Sequence, residues 1–509
     1  MSIDTALSIA SGGLANIAQQ MATISNNVAN ASTPSYAEEV STQTSLVGGG
    51  QGYGVLTGNV VRQIDLQLQQ EVFQQNATVS GLQAQSQGLA PVDAAQGVPG
   101  AGTDLGSVLG NLQNAFTTLQ SDPSNNASQS QVVNAASTLA SSINNLSNAY
   151  QTARQSAQQG IQSGLQQMNS DLTTISQLSD RIVAAQAGGQ STADLENQRS
   201  AAMADASNLA SINFIAQPNG GLIAAIGPGL TMPMTQPAPQ FSMASSAINP
   251  QTAYPGQGIG GIMLNGADVT QQFNGGSIGA NLTLRDKTLP GYQAQLDEFA
   301  NTLQSRFAAQ GLQLFTPPAG GTSSVTPTPD QNGYIGYAAA ISVDPAVTAN
   351  PALVRDGNQT VAGSPTGAAA FTPNPNGGPA GFETLINNVL TYALGGQAQS
   401  GVAQPSPNVS GLGLLGNLNA PYSPPATLAG FASVLVSAQS ADVSNTTSQL
   451  ATETAVQSTL AAQFTSTSGV NTDTELSKMV ALQNAYGANA RIIGAAQSMW
   501  EALLTAVPT

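Results

Sequence analysis

The chain has no cysteine and no histidine in 509 residues. That removes disulfides, thiolate nucleophiles, the usual zinc ligand sets and the common general base near neutral pH. Charge is scarce as well: 7 % of residues are Asp, Glu, Lys or Arg, against roughly a quarter in ordinary globular proteins. With ten basic residues and a net charge of −16, the chain lacks the clustered cations that phosphate tracking needs, which excludes nucleic acid as a partner. Apolar runs are short. Leu222 to Met232 is interrupted by Gly227, Pro228 and Gly229, so no stretch approaches the roughly 20 residues of a membrane helix. The first basic residue is Arg62, and without a basic n-region no cleaved secretory signal is expected.

Carboxylates number 26, so a polysaccharide hydrolase with two of them is the catalytic class to test. Glu38–Glu39 and Asp297–Glu298 are adjacent in sequence, which on a helix turns them about 100° apart and suits solvated faces better than acid–base work. The expectation is a protein that is not an enzyme and holds no cofactor or metal.

What the chain does have is periodicity at both ends. Ile3, Ala10, Ile17, Ile24 and Ala31 form one row of a heptad seam, and Leu7, Leu14, Met21 and Val28 form the other. Pro34 ends the pattern. Near the other terminus Met479, Tyr486, Ile493 and Trp500 make one row, and Leu482, Asn489, Ala496 and Leu503 the second. Asn489 in that seam reads as a register element. Thr472 and Glu475 have capping-box spacing at the start of the helix. The opposite faces are nearly uncharged, with Asp4 the sole charge before Glu38. Ser, Thr, Asn and Gln there, including Gln20, Asn27 and Gln483, suit contact with neighbouring subunits.

Between the ends, Leu105, Val108, Leu112, Phe116 and Leu119 predict a helix stopped by Asp122-Pro123, and stripes from Leu139 to Ile182 predict a much longer one. Leu289–Phe307, with Pro290 in its first turn, and Phe431–Phe464 supply two more. The fold expected is mainly α with inserted β domains. The terminal helices pair as a coiled coil (1–47 and 470–509), a long antiparallel helix bundle takes 48–210, 287–316 and 426–469, and a small β domain is inserted at 211–286. A second, Pro/Gly/Thr-rich insertion spans 317–425, with β content around Tyr334–Val343.

Two motifs carry a resemblance. Ser25-Asn26-Asn27-Val28-Ala29-Asn30-Ala31-Ser32-Thr33-Pro34-Ser35-Tyr36 is similar to the amino-terminal signature of the flagellar rod, hook and hook-associated proteins. Val470–Leu476, followed by Gln483-Asn484-Ala485-Tyr486-Gly487-Ala488-Asn489-Ala490-Arg491-Ile492-Ile493, resembles the matching carboxy-terminal signature. Thr33-Pro34 before the tyrosine, Leu195–Arg199 and Gly275–Gly279 resemble the hook-associated members. Ser35 stands where the family usually has Gly, and Ala37-Glu38-Glu39 departs from its usual Ser-Arg-Gln. The resemblance implies a structural protein of the extracellular bacterial flagellum, at the junction of hook and filament, secreted by type III export and assembling through its terminal helices. It also implies the partners: further copies of the chain in a ring, hook protein, a second junction protein (hook-associated protein 3), and an export chaperone on the carboxy-terminal helix. The alternatives are another axial protein of hook or rod type, and a secreted adhesin.

Overall fold

A computed structural model describes residues 3–48, 51–98, 100, 102–318 and 333–506. The fold is mainly helical with small antiparallel sheets. Chain order begins with helix α1 (Ile3–Asn30), strands β1 (Glu39–Gly48) and β2 (Gln51–Arg62), and helices α2 (Leu66–Gln96), α3 (Leu105–Ser121), α4 (Asn126–Ala187) and α5 (Ala193–Leu209). The helix starts are written in side chains. Asp65 accepts from the N–H groups of Gln67 and Leu68, Asp104 from Ser107, and Asn125 from Ala127 and Ser128, each satisfying donors that have no partner inside the helix.

Helix α4 has 62 residues, about 93 Å at 1.5 Å per residue, and two hydrophobic cores lie along it. The first half, from Val132 to Ala157, packs with α3, the end of α2 around Leu89 and Val92, and two later helices. The second half, Ile161 to Ile175, packs with α5 and the β insertion. That insertion is two three-stranded meanders: β3 (Ile212–Ala216), β4 (Leu222–Ile226) and β5 (Leu230–Pro233), then β6 (Phe241–Met243), β7 (Ile262–Leu264) and β8 (Ala267–Asp268). In β4 the alternating Leu222, Ala224 and Ile226 are buried, the period-two pattern of a strand with one face on the core.

Helices α6 (Gly276–Thr283) and α7 (Leu289–Ala309) are one rod joined by a π turn, Leu284–Thr288. The N–H of Leu289 reaches back to the carbonyl of Leu284. Pro290 falls in the first turn of α7, where the sequence places it, and the wide turn before it lets the rod continue past a residue that cannot donate to the α ladder. Arg285, fully buried on this turn, holds Asp286 with two 2.7 Å bonds and Gln158 with a third. Arg154 donates to the carbonyls of Arg285, Asn249 and Thr252, tying the β insertion to α4.

The stretch expected as a separate insertion at 317–425 does not stand apart in its described part; residues 319–332 lie outside the described residues. Tyr337, Ile341, Val354, Leu385 and Val389 share the core of α3, the first half of α4 and α7. Around Tyr334–Val343 the chain forms a 3-10 turn, Tyr337–Ala339, and a single bridge between Phe315 and Val343, rather than strands. Short helices follow, α8 (Pro345–Ala349), α9 (Leu353–Asp356) and α10 (Thr384–Asn388), then strands β9 (Gln397–Gln399) and β10 (Val402–Ala403). Asp297 and Glu298, read from sequence as solvated, are buried. Asp297 accepts from the backbone N–H groups of Gly336 at 2.7 Å and Ala338 at 2.8 Å, and Glu298 from that of Asn408 at 2.8 Å. The pair anchors the insertion onto α7. The last helices are α11 (Leu428–Ser468), which runs along α2, and α12 (Thr472–Ala506), which pairs with α1.

Candidate assembly interface

The terminal pair is antiparallel. Asn27 faces Glu475 at one level and Gly13 faces Asn489 two heptads further along both helices. Ala10, Ile17 and Ile24 on α1 are buried, as is Ala496 on α12, while Ile3, Leu14, Met21, Val28, Met479, Leu482, Asn489 and Ile493 are partly buried. The seam is narrower than the heptad rows suggest. Leu7, Tyr486, Trp500 and Leu503 are exposed, Trp500 by 52 %, because one partner helix covers only one side of each row and α12 runs past the start of α1. The amide of Asn489 bonds back to the carbonyl of Ala485 at 3.1 Å and sits 3.3 Å from where a Cβ on Gly13 would be. The amide thus bonds within its own helix and occupies the space that Gly13 leaves on α1.

The base of the pair is a buried polar knot. The side chain of Asn27, 0 % exposed, donates to the carbonyl of Glu39 and to Glu475 Oε2, each at 2.9 Å. Its Oδ1 accepts from Tyr36 Oη at 3.1 Å and from the N–H of Glu39 at 3.0 Å. From sequence Asn27 belonged to the outer, subunit-facing side; the structure corrects this, since its amide is fully used inside the chain. Asn26 donates toward Tyr36 and Glu39, and Asn30 folds back to the carbonyl of Asn26. Asn197 of α5 brackets Ala37, bonding both its N–H and its carbonyl at 3.1 Å, and also donates to Glu39. The signature residues thus hold α1, the turn after it, α12 and the bundle together. Thr33 and Pro34 are exposed in that turn, and Ser35 adopts φ +63°, a left-handed conformation that favours glycine. Burial raises the Glu39 carboxyl above its ordinary range. Burial, with Glu39 beside it, holds the Tyr36 hydroxyl protonated well above the usual tyrosine range.

The cap of α12 is Asn471, whose Oδ1 accepts from the N–H groups of Asp473 and Thr474, both at 3.1 Å. The capping box expected of Thr472 and Glu475 does not form. Thr472 is an exposed first-turn residue, and Glu475, 1 % exposed, turns inward to Asn27 and to Lys478 Nζ at 2.6 Å. A buried partner for the carboxylate outweighs a solvent-side cap. Lys478 also reaches Glu38 at 2.7 Å.

Sequence reading missed the β1–β2 hairpin, whose strands are rich in Ser, Thr, Gln and Gly. It lies against α1, with Gly54 next to Ile9, and leaves Leu46, Val47, Val55 and Leu56 exposed. On α12, Leu476, Val480, Ile492, Met499 and Leu504 are exposed too. So many exposed large apolar side chains mark a contact surface. Among the described residues no group of three or more Asp or Glu is placed to hold a metal ion, and no helix is long and apolar enough to cross a membrane.

Comparison with known proteins agrees with this division. Residues 96–316 match the family described as flagellar hook-associated protein FlgK helical domain, 461–506 the flagellar basal body rod FlgEFG protein C-terminal family, and 7–36 the flagella basal body rod protein family. Flagellar hook-associated protein 1 of Escherichia coli (strain K12) is 22 % identical over 538 aligned positions, covering 95 % of this chain and 96 % of that protein. The chain is thus similar to flagellar hook-associated protein 1 along nearly its whole length. Among solved structures, the flagellar hook junction protein FlgK from Burkholderia pseudomallei shares the fold, with a TM-score of 0.52 at 17 % identity over 78 % of this chain and 99 % of that one. Like the proteins it matches, this protein is a structural component of the flagellar axis. The rod-type matches fall on the two terminal helices and the hook-associated match on the helical domain between them.

Proposed function

We propose that this chain is the joint between hook and filament, a secreted structural protein with no catalytic role. Copies stand side by side in a ring. Their terminal helix pairs form an inner coiled-coil domain, the bundle lies outside it, and the insertions lie outermost. Hook protein is the neighbour on one side and the second junction protein, hook-associated protein 3, on the other. Before assembly the chain leaves the cell by type III export, with a chaperone covering the apolar side chains of α12.

The observation that carries this reading is the number of large apolar side chains left exposed along α12, Leu476, Val480, Ile492, Met499, Trp500 and Leu503, on a chain whose two cores are closed by its own residues. Small residues on the outer faces of α1 and α12, including Ala15, Ala18 and Ala22, and Ala488, Gly494 and Ala495, let neighbouring helices approach closely. A clean deletion tests it: cells should make hooks that carry no filaments and should not swim. A deletion strain that swims with filaments attached contradicts it. Removing residues after Gly469 should also abolish chaperone capture in a pull-down, and undiminished capture would place that partner elsewhere.

A further inference from the structure

The polar knot at the base of the terminal pair holds a set of groups whose chemistry goes beyond packing. Glu475 is 1 % exposed and uses both oxygens: Oε1 accepts from Lys478 Nζ at 2.6 Å and Oε2 from Asn27 Nδ2 at 2.9 Å. One carboxylate thus holds an amine and a side-chain amide, drawn from opposite ends of the chain, as neighbours. Lys478 Nζ is also held by Glu38 at 2.7 Å. The next residue, Glu39, brackets the Asn27 amide with its own backbone, its N–H donating to Oδ1 at 3.0 Å and its carbonyl accepting from Nδ2 at 2.9 Å. Tyr36 Oη donates to the same Oδ1 at 3.1 Å, and burial keeps that hydroxyl protonated and so a donor. Two donors on one amide oxygen draw electron density from Cγ and are placed to hold negative charge on Oδ1. A carboxylate within hydrogen-bond reach of an amine can take its proton and leave a nucleophile. The knot therefore contains every group that attack of an amine on an amide requires: nucleophile, base, two oxyanion donors, and an amide nitrogen already bonded to the base.

We propose that Lys478 and Asn27 join in an isopeptide bond, which ties α12 to α1 covalently within each copy once the terminal pair has folded. Glu475 Oε1 takes a proton from the Lys478 ammonium. The freed Nζ lone pair swings onto Asn27 Cγ and forms the new bond, and the carbonyl electrons move to Oδ1, where Tyr36 Oη and the Glu39 N–H hold them. The carbonyl then re-forms and the Cγ–Nδ2 bond breaks. Nζ gives up two protons in all, both passed through Glu475 to Nδ2, which leaves as ammonium while the carboxylate returns to its starting form. Nothing is oxidised or reduced, and no co-reactant is needed. The Lys478 side chain is 45 % exposed, so one side of the knot is open for the ammonium to leave. Burial favours the neutral amine, but the bonds to Glu38 and Glu475 outweigh it and raise the lysine above its ordinary range. The bond should therefore form faster in alkaline buffer than at neutral pH. Each chain reacts once, so the event is a maturation of the protein and not turnover. It depends on the terminal pair alone and stands apart from the reading of the chain as the joint between hook and filament.

The intact mass of the full-length chain tests the bond, measured on protein from detached flagella and on the purified chain incubated in alkaline buffer. The expected result is a chain lighter by one ammonia, whose digest yields a branched peptide joining the segments around Asn27 and Lys478. Lys478→Arg keeps the cation beside its two carboxylates but presents a guanidinium, which stays protonated and is no nucleophile. That variant should keep its full mass and the helical circular dichroism of the parent, and Glu475→Gln should keep its full mass too. Tyr36→Phe removes one of the two oxyanion donors and should slow the loss of ammonia by about a hundredfold or more. A parent chain at full mass in both preparations overturns the proposal. So does a loss of ammonia that persists in Lys478→Arg, which places the chemistry elsewhere. Conversion of Asn27 to aspartate with Lys478 left free also overturns it, by making water the nucleophile.

Discussion

The bundle and the terminal pair use the same apolar periodicity with opposite outcomes. In the bundle, Leu112, Phe116, Leu139, Ile143, Phe299 and Phe307 are each 0 % exposed, because α3, α4, α7 and α11 surround them. In the terminal pair α1 has one helical partner and a hairpin, and α12 leaves Trp500, Leu503 and Leu504 half exposed or more. A heptad stripe states that a helix has an apolar face. Whether the chain itself covers that face depends on how many neighbours the topology brings, and here each terminal helix has a single helical partner. Bundle residues should therefore govern the stability of the isolated chain, and terminal residues its assembly.

The largest effect should come from breaking the closed side of this comparison. Phe299→Ala removes a buried ring that stacks edge-on against Phe431 at 5.4 Å and should destabilise the bundle by about 3 to 5 kcal/mol, read as a lower calorimetric melting temperature. Little or no change would mean that the bundle core is not closed as described. Next in size is Asn27→Ala, which strands the Glu39 backbone, the Tyr36 hydroxyl and Glu475 without their amide partner. Each lost partner costs about 1 to 3 kcal/mol, and the loss should appear as faster hydrogen exchange in α1 and α12 while bundle amides keep their protection. Equal acceleration in the bundle would show that the knot belongs to the global fold.

A smaller effect separates the regions by pH. Burial raises the Asp171 carboxyl to about 6 and that of Asp297 to about 7, from about 3.9 in an unfolded chain. The folded bundle thus holds more protons than the unfolded chain between these values. The stabilising contribution is fully present below about pH 4 and is lost as pH rises through the folded values. The bundle should melt lower at pH 8 than at pH 5, and Asp171→Asn should flatten part of that slope. A slope unchanged by the substitution rules out Asp171 as its source. The smallest effect is expected of Ser35→Gly. It removes a left-handed strain of about 1 to 2 kcal/mol and adds about 0.5 to 1 kcal/mol of chain entropy, leaving a slight gain in protection of the turn after α1. A loss of protection there would show that the serine side chain matters more than its backbone.

Much of the helical frame was legible because its faces are one-sided. Leu105 to Leu119 and Leu139 to Ile182 each present a continuous stripe, and the stop at Asp122-Pro123 falls at a helix end. Helix α2 was not read at all. It packs against α4, α5, α6 and α11, so it has buried residues on several sides, among them Phe73, Ala77, Val79 and Leu89, with Pro91 inside it, and no single stripe emerges. The 317–425 segment has the composition of a loop, yet Asp297 and Glu298 pin it to the core. Partners so distant in sequence leave no local signal. At the interface the seam was legible as a pattern, but which of its members the partner helix covers was not. The role of Asn27 was hidden for a related reason: a polar residue on a helix looks solvated until Glu475, from the other end of the chain, arrives beside it.

The central claim is that the outer face of α12 belongs to assembly and not to the fold of the single chain. Val480→Asp tests it most directly, since Val480 lies along the paired stretch of α12 yet is 57 % exposed. The purified variant should melt as the parent does, with a change within about 0.5 kcal/mol, and cells carrying it should lose filaments from their hooks. A variant that melts several degrees lower, or that leaves swimming and filament attachment intact, would contradict the account.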